Sequence, residues 1–300
     1  MQLFPRRVLS IESSCDETSA AVVELKDNQV RVLSNITATS LAIHAKTGGI
    51  IPENAAREQV KYIIPIIREA LFQAGGTGGR APDTRAVERK RASTGGKENP
   101  GQDPLGILKT IDAIAVTHGP GLIGSLLVGV ETAKTLAYTF NKPLIPVNHL
   151  LAHLFANFIS PQLNAKRYQL NAPKYPFLGL IVSGGHTDLL LFTNIEVYKW
   201  LGGTRDDAAG EALDKIGRLL GLPYPAGAEI EKRAKLSKNT KLRFKSPLLG
   251  ADNFDFSFSG LKTEAMRVIQ DKFTTNHELI TNNDLVNEIC FAVQKAVIDV

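Results

Sequence analysis

The chain is predicted to adopt an α/β fold in which one two-strand unit recurs at the head of each half. Three features point to this. The apolar runs Val8–Ile11 and Ala20–Leu25 bracket the turn-forming residues Ser13, Ser14, Asp16, Glu17 and Thr18, a strand–turn–strand pattern. The stretch FLGLIVSGGHTDLLLFT, Phe177 to Thr193, repeats that pattern and places Ser183 where the first unit has Ser13. Between them, IDAIAVTHGPGLIGSLLVGVETAKTLAYTFNKPLIPVNH reads as strand, Gly-Pro-Gly turn, amphipathic helix and strand, the crossover that builds parallel sheets. Two such units heading two halves point to internal duplication.

The remaining elements follow in order. VRVLSNITATS is a third strand. ENAAREQVKYIIPIIREALFQA has apolar residues at helical spacing, with Asn54 as the candidate cap. Residues 75–106 are rich in Gly, Pro, Arg and Lys and nearly free of large apolar side chains. They are expected to form a disordered basic loop, either solvated or touching RNA through Arg89–Arg91. In DDAAGEALDKIGRLLG a helix would put Asp207, Glu211 and Asp214 on related faces, with Ile216, Leu219 and Leu220 toward a core. Pro225–Gly227 opens another helix. NFDFSFSGLKTEAM is expected to be a strand or extended loop that packs Phe254, Phe256 and Phe258. The halves are expected at 1–150 and 151–300. A half of about 170 residues would carry the second to about residue 340, so that lobe is expected to be cut short at Val300.

Composition narrows the classes. The 300 residues are 43% hydrophobic and 22% charged, enough to build a core, which excludes a wholly disordered chain. Two cysteines exclude a disulfide framework and fit a reducing compartment. No apolar run approaches the ~20 residues of a membrane helix, and MQLFPRRVLSIE lacks a signal-peptide core, so a cytoplasmic protein with no membrane partner is expected. A net charge of +5 permits a polyanionic partner without demanding one.

Several residues could carry chemistry. His149 and His153 in VNHLLAH share a helical face, where they either hold one Zn or Fe ion or are hydrogen-bonded histidines near a strand end. A metallopeptidase needs a Glu between such ligands, and Leu150 stands there. Asp16 and Glu17 are adjacent carboxylates in a turn, suited to polarising an attacking group, holding a metal-bound water or capping the turn. Cys15 is expected to be a packed residue rather than a nucleophile. The helix start after Pro225 suits an anion, with Glu231 one turn in to accept ribose hydroxyls.

Seven motifs in order, SIESSCDETSAAVV, GGIIPENAAREQ, THGPGLIGSLLVG, VNHLLAH, LIVSGGHT, DDAAGEALDKIGRLLGLPYPAG and NFDFSFSGLKT, closely resemble the universal tRNA N6-adenosine threonylcarbamoyltransferases of bacterial type. The resemblance implies a duplicated actin-like fold of the sugar-kinase and heat-shock ATPase kind, two lobes around a nucleotide cleft. It implies transfer of threonylcarbamoyl from threonylcarbamoyl-adenylate to N6 of adenosine 37 in tRNAs reading ANN codons, with AMP released. By position, His149 and His153 match metal ligands, usually for Fe2+ and sometimes Zn2+. Ile181, Val182, Ser183, Gly184 and Gly185 match the loop that holds the adenylate phosphate. Asp214, Gly227 and Glu231 match nucleotide contacts, and Asp16 and Glu17 match active-site carboxylates. The implied partners are the tRNA anticodon stem-loop, a related actin-like protein and a small ATPase. The family's third metal ligand, a late Asp, and an Asn-bearing nucleotide loop are missing and are expected beyond Val300. Ala226 stands where the family has a glycine, which a negative φ would allow. The rival readings are an actin-like ATPase or small-molecule kinase, in which the histidine pair has no task, and an inactive scaffold paralogue.

Overall fold

The computed structural model describes residues 6–26, 29–75, 104–161, 168–170, 173–246, 248–276 and 283–300. The basic loop expected over 75–106 lies outside them, save Gly75 at one end and residues 104–106 at the other. The chain divides into two compact units, Met1–Ala172 and Pro173–Val300.

The first unit is built on β1 (Arg7–Glu12), β2 (Glu17–Lys26), β3 (Gln29–Thr39), β4 (Ala113–Gly119), β5 (Leu144–Asn148), β6 (Ile159–Pro161) and β7 (Tyr168–Leu170). They form one sheet in the order β5-β4-β1-β2-β3-β7-β6. The β1–β2 hairpin is antiparallel, with Val8 opposite Val23 and Ile11 opposite Ala20. β1 runs parallel to β4, and β4 parallel to β5. Ala113 to Thr117 of β4 are buried throughout, as a central parallel strand requires. The helices are α1 (Leu41–Thr47), α2 (Pro52–Gly75), α3 (Pro104–Lys109), α4 (Ile123–Thr139) and α5 (His149–Ala156). Ile63, Ile66, Ile67, Ala70 and Leu71 recur at helical spacing along α2 and pack on Leu9, Ile11, Val22 and Val116 of the sheet. Asn54 is not the cap of α2. The Ala55 N–H already donates to the Ile51 carbonyl (3.1 Å), and Pro52 opens the helix where no donor is needed. The first unit runs past the expected residue 150 because β6 pairs with β7, and β7 joins β3 through Arg31 and Gln169.

The second unit has a three-stranded antiparallel sheet, β8 (Phe177–Val182), β9 (Thr187–Phe192) and β10 (Tyr198–Gly203), in the order β10-β9-β8. Its helices are α6 (Ala209–Leu219), α7 (Gly227–Lys235), α8 (Ser259–Asn276) and α9 (Asn283–Ile298). Ala212 and Ile216 of α6, Leu261 and Ala265 of α8, and Ile289 and Val293 of α9 form its core with Phe258.

Two expectations need correction here. Asp207 precedes α6 and pairs with Lys215 (2.5 Å), and Leu219 faces out rather than into the core. Ser259–Asn276 is helical where an extended segment was expected, and only Phe258 of the three phenylalanines is buried. The start of α8 is set from a distance. The Asp206 carboxylate accepts from the Phe258 and Ser259 N–H groups (2.7 and 3.1 Å) and from the Ser257 and Ser259 hydroxyls (2.6 and 2.7 Å). Partial burial pushes the Asp206 carboxyl up, but those four bonds outweigh it and hold it below its usual value. A depressed carboxylate stabilises above its unfolded pKa of about 3.9 and loses that contribution as pH falls through the folded value. Asp206→Asn is therefore expected to cost about 1–2 kcal/mol at pH 7, the range of a lost cap, and much less at pH 3. Urea unfolding of both proteins at the two pH values checks this.

Among the described residues no helix is long and apolar enough to cross a membrane.

Candidate active site

The parallel strands β1, β4 and β5 end side by side at Glu12, Gly119 and Asn148, the edge of an α/β sheet where ligands commonly bind. α5 starts at once after β5. The Asn148 side chain caps it, accepting from the N–H groups of Leu150 (2.9 Å) and Leu151 (3.1 Å). That cap places His149 in the first turn and His153 directly above it. Their Nε2 atoms lie 3.1 Å apart, with the rings at 83°. His149 Nδ1 lies 3.1 Å from Ser14 Oγ and 3.5 Å from Glu12 Oε2. The Ser14 N–H donates to Glu12 Oε1 (2.6 Å), and the Thr117 hydroxyl donates to Oε2. Burial raises the Glu12 pKa, yet the bonds from His149, Ser14 and Thr117 overcome it and bring it down to about 2.

These residues suit a metal ion. Two nitrogens, each ~2.1 Å from a shared ion, would be separated by about this distance when they occupy neighbouring coordination positions. A carboxylate behind the far ring nitrogen is the usual outer-shell partner of a ligating histidine. Among the described residues no group of three or more His, Cys, Asp or Glu side chains could hold an ion. The two imidazoles are the pair that such an ion would meet here.

The turn from Ser13 to Glu17 is held on several sides. The Leu122 N–H donates to the Ser14 carbonyl (2.7 Å). The Ser13 hydroxyl donates to the Ser125 carbonyl (2.8 Å) and accepts from the Gly129 N–H (3.1 Å). From α2, the buried Gln59 amide reaches the carbonyls of Ser13, Cys15 and Glu17 at 3.2, 2.9 and 3.2 Å. The Asp16 carbonyl accepts from the Ser40 N–H (3.3 Å) and hydroxyl (2.5 Å). With its backbone so fixed, the turn presents Asp16 and Glu17. Burial, then the charges of Asp16 and Glu12, raise the Glu17 pKa. Burial, followed by Asp16, lifts the Cys15 thiol to about 11, so it carries no thiolate at neutral pH.

In the second unit, Ile181 is buried and paired with Asp188, and Val182 is exposed at the end of β8. The Ser183 N–H donates to the His186 carbonyl (2.8 Å), and its hydroxyl accepts from Gly185 (3.3 Å) and His186 (3.0 Å) N–H groups. A Cβ added to Gly184 or Gly185 would meet nothing within 4 Å, so the turn faces open space. The first turn of α6 abuts it. Gly210 N–H donates to the Ser183 carbonyl (3.1 Å), and a Cβ on Gly210 would come within 2.7 Å of that oxygen. Asp214, one turn along α6, accepts from the Ala226 N–H (2.7 Å) and so ties α6 to the start of α7 at Gly227. Burial raises its pKa, against the Ala226 N–H and Arg218. Glu231 is exposed and paired with Lys235 (2.5 Å), whose hydrogen bond and charge lower its pKa.

Ala226 has φ −87°, a conformation open to any residue. Its methyl group is accommodated across the interface, because a Cβ on Gly217 would lie 2.1 Å from the Ala226 Cβ. Gly217→Ala is expected to cost about 1–3 kcal/mol by overpacking, and adding Ala226→Gly is expected to recover most of it. Thermal unfolding of the two single variants and the double variant checks the coupling.

Among the residues read from the sequence, the structure gathers His149 and His153 on one helix beside the turn that holds Asp16 and Glu17. It gathers Ile181 to Gly185, Asp214, Gly227 and Glu231 around α6 and α7. Sequence reading passed over Glu12, Thr117 and Gln59. The Glu of SIESS was the one local hint, a lone carboxylate ending an apolar strand.

The sequence profile of TsaD, tRNA N6-adenosine threonylcarbamoyltransferase, matches residues 31–78 and 107–300. The protein of that name from Anaeromyxobacter sp. (strain Fw109-5) is 42% identical over 292 residues, covering 97% of this chain and 73% of the relative. Its counterpart from Geotalea uraniireducens is 41% identical over 293 residues, covering 98% and 71%. Among solved structures, YeaZ from Pseudomonas aeruginosa aligns over 65% of both chains with 13% identity and a TM-score of 0.33, too distant to support an argument. A profile match over most of the chain, with relatives above 40% identity along almost all of it, places this protein in the tRNA N6-adenosine threonylcarbamoyltransferase family.

Proposed function

We propose that this chain transfers threonylcarbamoyl from threonylcarbamoyl-adenylate to N6 of adenosine 37 in tRNAs reading ANN codons. The observation that carries the reading is the convergence of the His149 and His153 Nε2 atoms, 3.1 Å apart, in a member of this family. The N6 lone pair attacks the carbamoyl carbon, the bond from that carbon to the phosphate oxygen breaks, and AMP leaves. Glu17, whose burial and carboxylate neighbours raise its pKa, takes the proton released from N6, with Asp16 beside it orienting the amine. The Ser183–Gly185 backbone receives the phosphate in the space its glycines leave open, and Ile181 and Val182 hold that turn on β8. Asp214 and Gly227 set the start of α7 for the nucleoside, and Glu231 accepts its hydroxyls. His149 and His153 would hold a divalent ion, Fe2+ ahead of Zn2+, which would supply the polarisation of the carbamoyl carbonyl or a seat for the threonyl carboxylate.

The two serine-turn hairpins, β1–β2 and β8–β9, support reading the two units as lobes of a duplicated actin-like fold. The reading carries with it a cytoplasmic setting, an anticodon stem-loop bound by a chain of charge +5, and an actin-like protein and a small ATPase as companions. The test supplies threonylcarbamoyl-adenylate, tRNA and the companion proteins, and follows AMP release and tRNA mass. Equal release and mass gain are expected, both lost when position 37 is not adenosine. AMP release without a gain in tRNA mass overturns the transfer.

A further inference from the structure

The two ring nitrogens of His149 have different surroundings. Nε2 faces His153, while Nδ1 faces Ser14 Oγ at 3.1 Å and Glu12 Oε2 at 3.5 Å. The Glu12 carboxylate can only accept. Oε1 is taken by the Ser14 N–H and Oε2 by the Thr117 hydroxyl, so the group is anchored to two strand ends. A bare Nδ1 would set its lone pair against those of Oε2. An Nδ1–H instead donates to Ser14 Oγ and lies along the field of the carboxylate.

We infer that Glu12 is a positioning residue which, directly and through the Ser14 hydroxyl, holds His149 as its Nδ1–H tautomer and keeps Nε2 bare for the ion. This rests on reading His149 and His153 as ligands. It adds that a residue touching neither ion nor substrate decides whether the first of them can bind. Without an ion, the proton between the two Nε2 atoms then belongs to His153.

The experiment is nitrogen NMR of the metal-free, full chain with labelled histidine, together with Zn2+ affinity measured by competition with a chelating dye. In the wild type, His149 is expected to show a protonated Nδ1 and a bare Nε2. Glu12→Gln offers an amide donor to Nδ1, so it is expected to reverse the tautomer and weaken Zn2+ binding by about 10–100-fold. Glu12→Asp is expected to restore the wild-type tautomer and most of the affinity. A merely structural role would lower the melting temperature and leave the tautomer alone. A wild-type His149 protonated on Nε2 overturns the inference whether or not any variant folds. So does a Glu12→Gln protein that keeps the tautomer and binds Zn2+ within about twofold of wild type. If His149→Ala binds Zn2+ like the wild type, the ligand reading fails instead, and the tautomer, read without metal, still judges Glu12.

Discussion

Alanine at His149 or at His153 is expected to reduce transfer by at least ~100-fold, since outer-shell partners of a metal alone are worth roughly 10–100-fold. The folded state should survive both changes. His153 is exposed on α5, where substitutions usually stay within about 0.5 kcal/mol. His149 is partly buried, and its loss leaves Ser14 Oγ and Glu12 without one donor, a cost of about 1 kcal/mol. If the pair holds an ion as proposed, the two single variants and the double variant should be almost equally inactive, because one imidazole would not hold it. Circular dichroism, thermal unfolding and the transfer assay together decide. A double variant with normal activity and normal folding removes the metal role from these residues.

Gly121→Ala is expected to damage both stability and activity. Its Cβ would sit 2.5 Å from the Ser14 carbonyl oxygen and 2.8 Å from the Ser14 Cβ. Neither can swing away, because the Leu122 N–H bonds that carbonyl and Gln59 holds the residues on either side. The turn must shift, taking the Ser14 hydroxyl away from His149. Overpacking of this kind costs about 1–3 kcal/mol. Gly124→Ala, in the first turn of α4 just beyond it, is the control. Its Cβ meets only the Ala56 methyl at 3.4 Å, an ordinary contact, so it is expected to be neutral or to stabilise by up to ~1 kcal/mol. Urea unfolding separates the two, and the transfer assay shows whether Gly121→Ala loses more activity than its unfolded fraction explains.

What could be read from the sequence was whatever is encoded within a few positions. The strand–turn–strand units, the crossover from β4 to β5 and the face shared by His149 and His153 are periodic or near-neighbour features. What escaped is encoded by partners far apart. Glu12 matters because Thr117 and His149 arrive beside it from positions 105 and 137 residues later. Ser259 starts a helix because Asp206, 53 residues earlier, caps it, while the alternating Phe and Ser residues before it mimic a strand. Asn54 looked like a cap because its residue type favours one, but Pro52 had already begun the helix. Asp207 falls outside α6 because the start of that helix is set by the Thr187 hydroxyl and the Ser183 carbonyl, which bond the N–H groups of Ala209 and Gly210.

The meeting of β1, β4 and the start of α5 at Glu12, Thr117 and His149 also orders events in time. Ser14 and His149 are 135 positions apart, so their contact exists only once the longest loops of the first unit have closed. His149 and His153 are four positions apart on one helix, and their approach needs no such closure. The two nitrogens of the His149 ring therefore belong to different stages of folding, Nε2 to its own helix and Nδ1 to the assembled sheet.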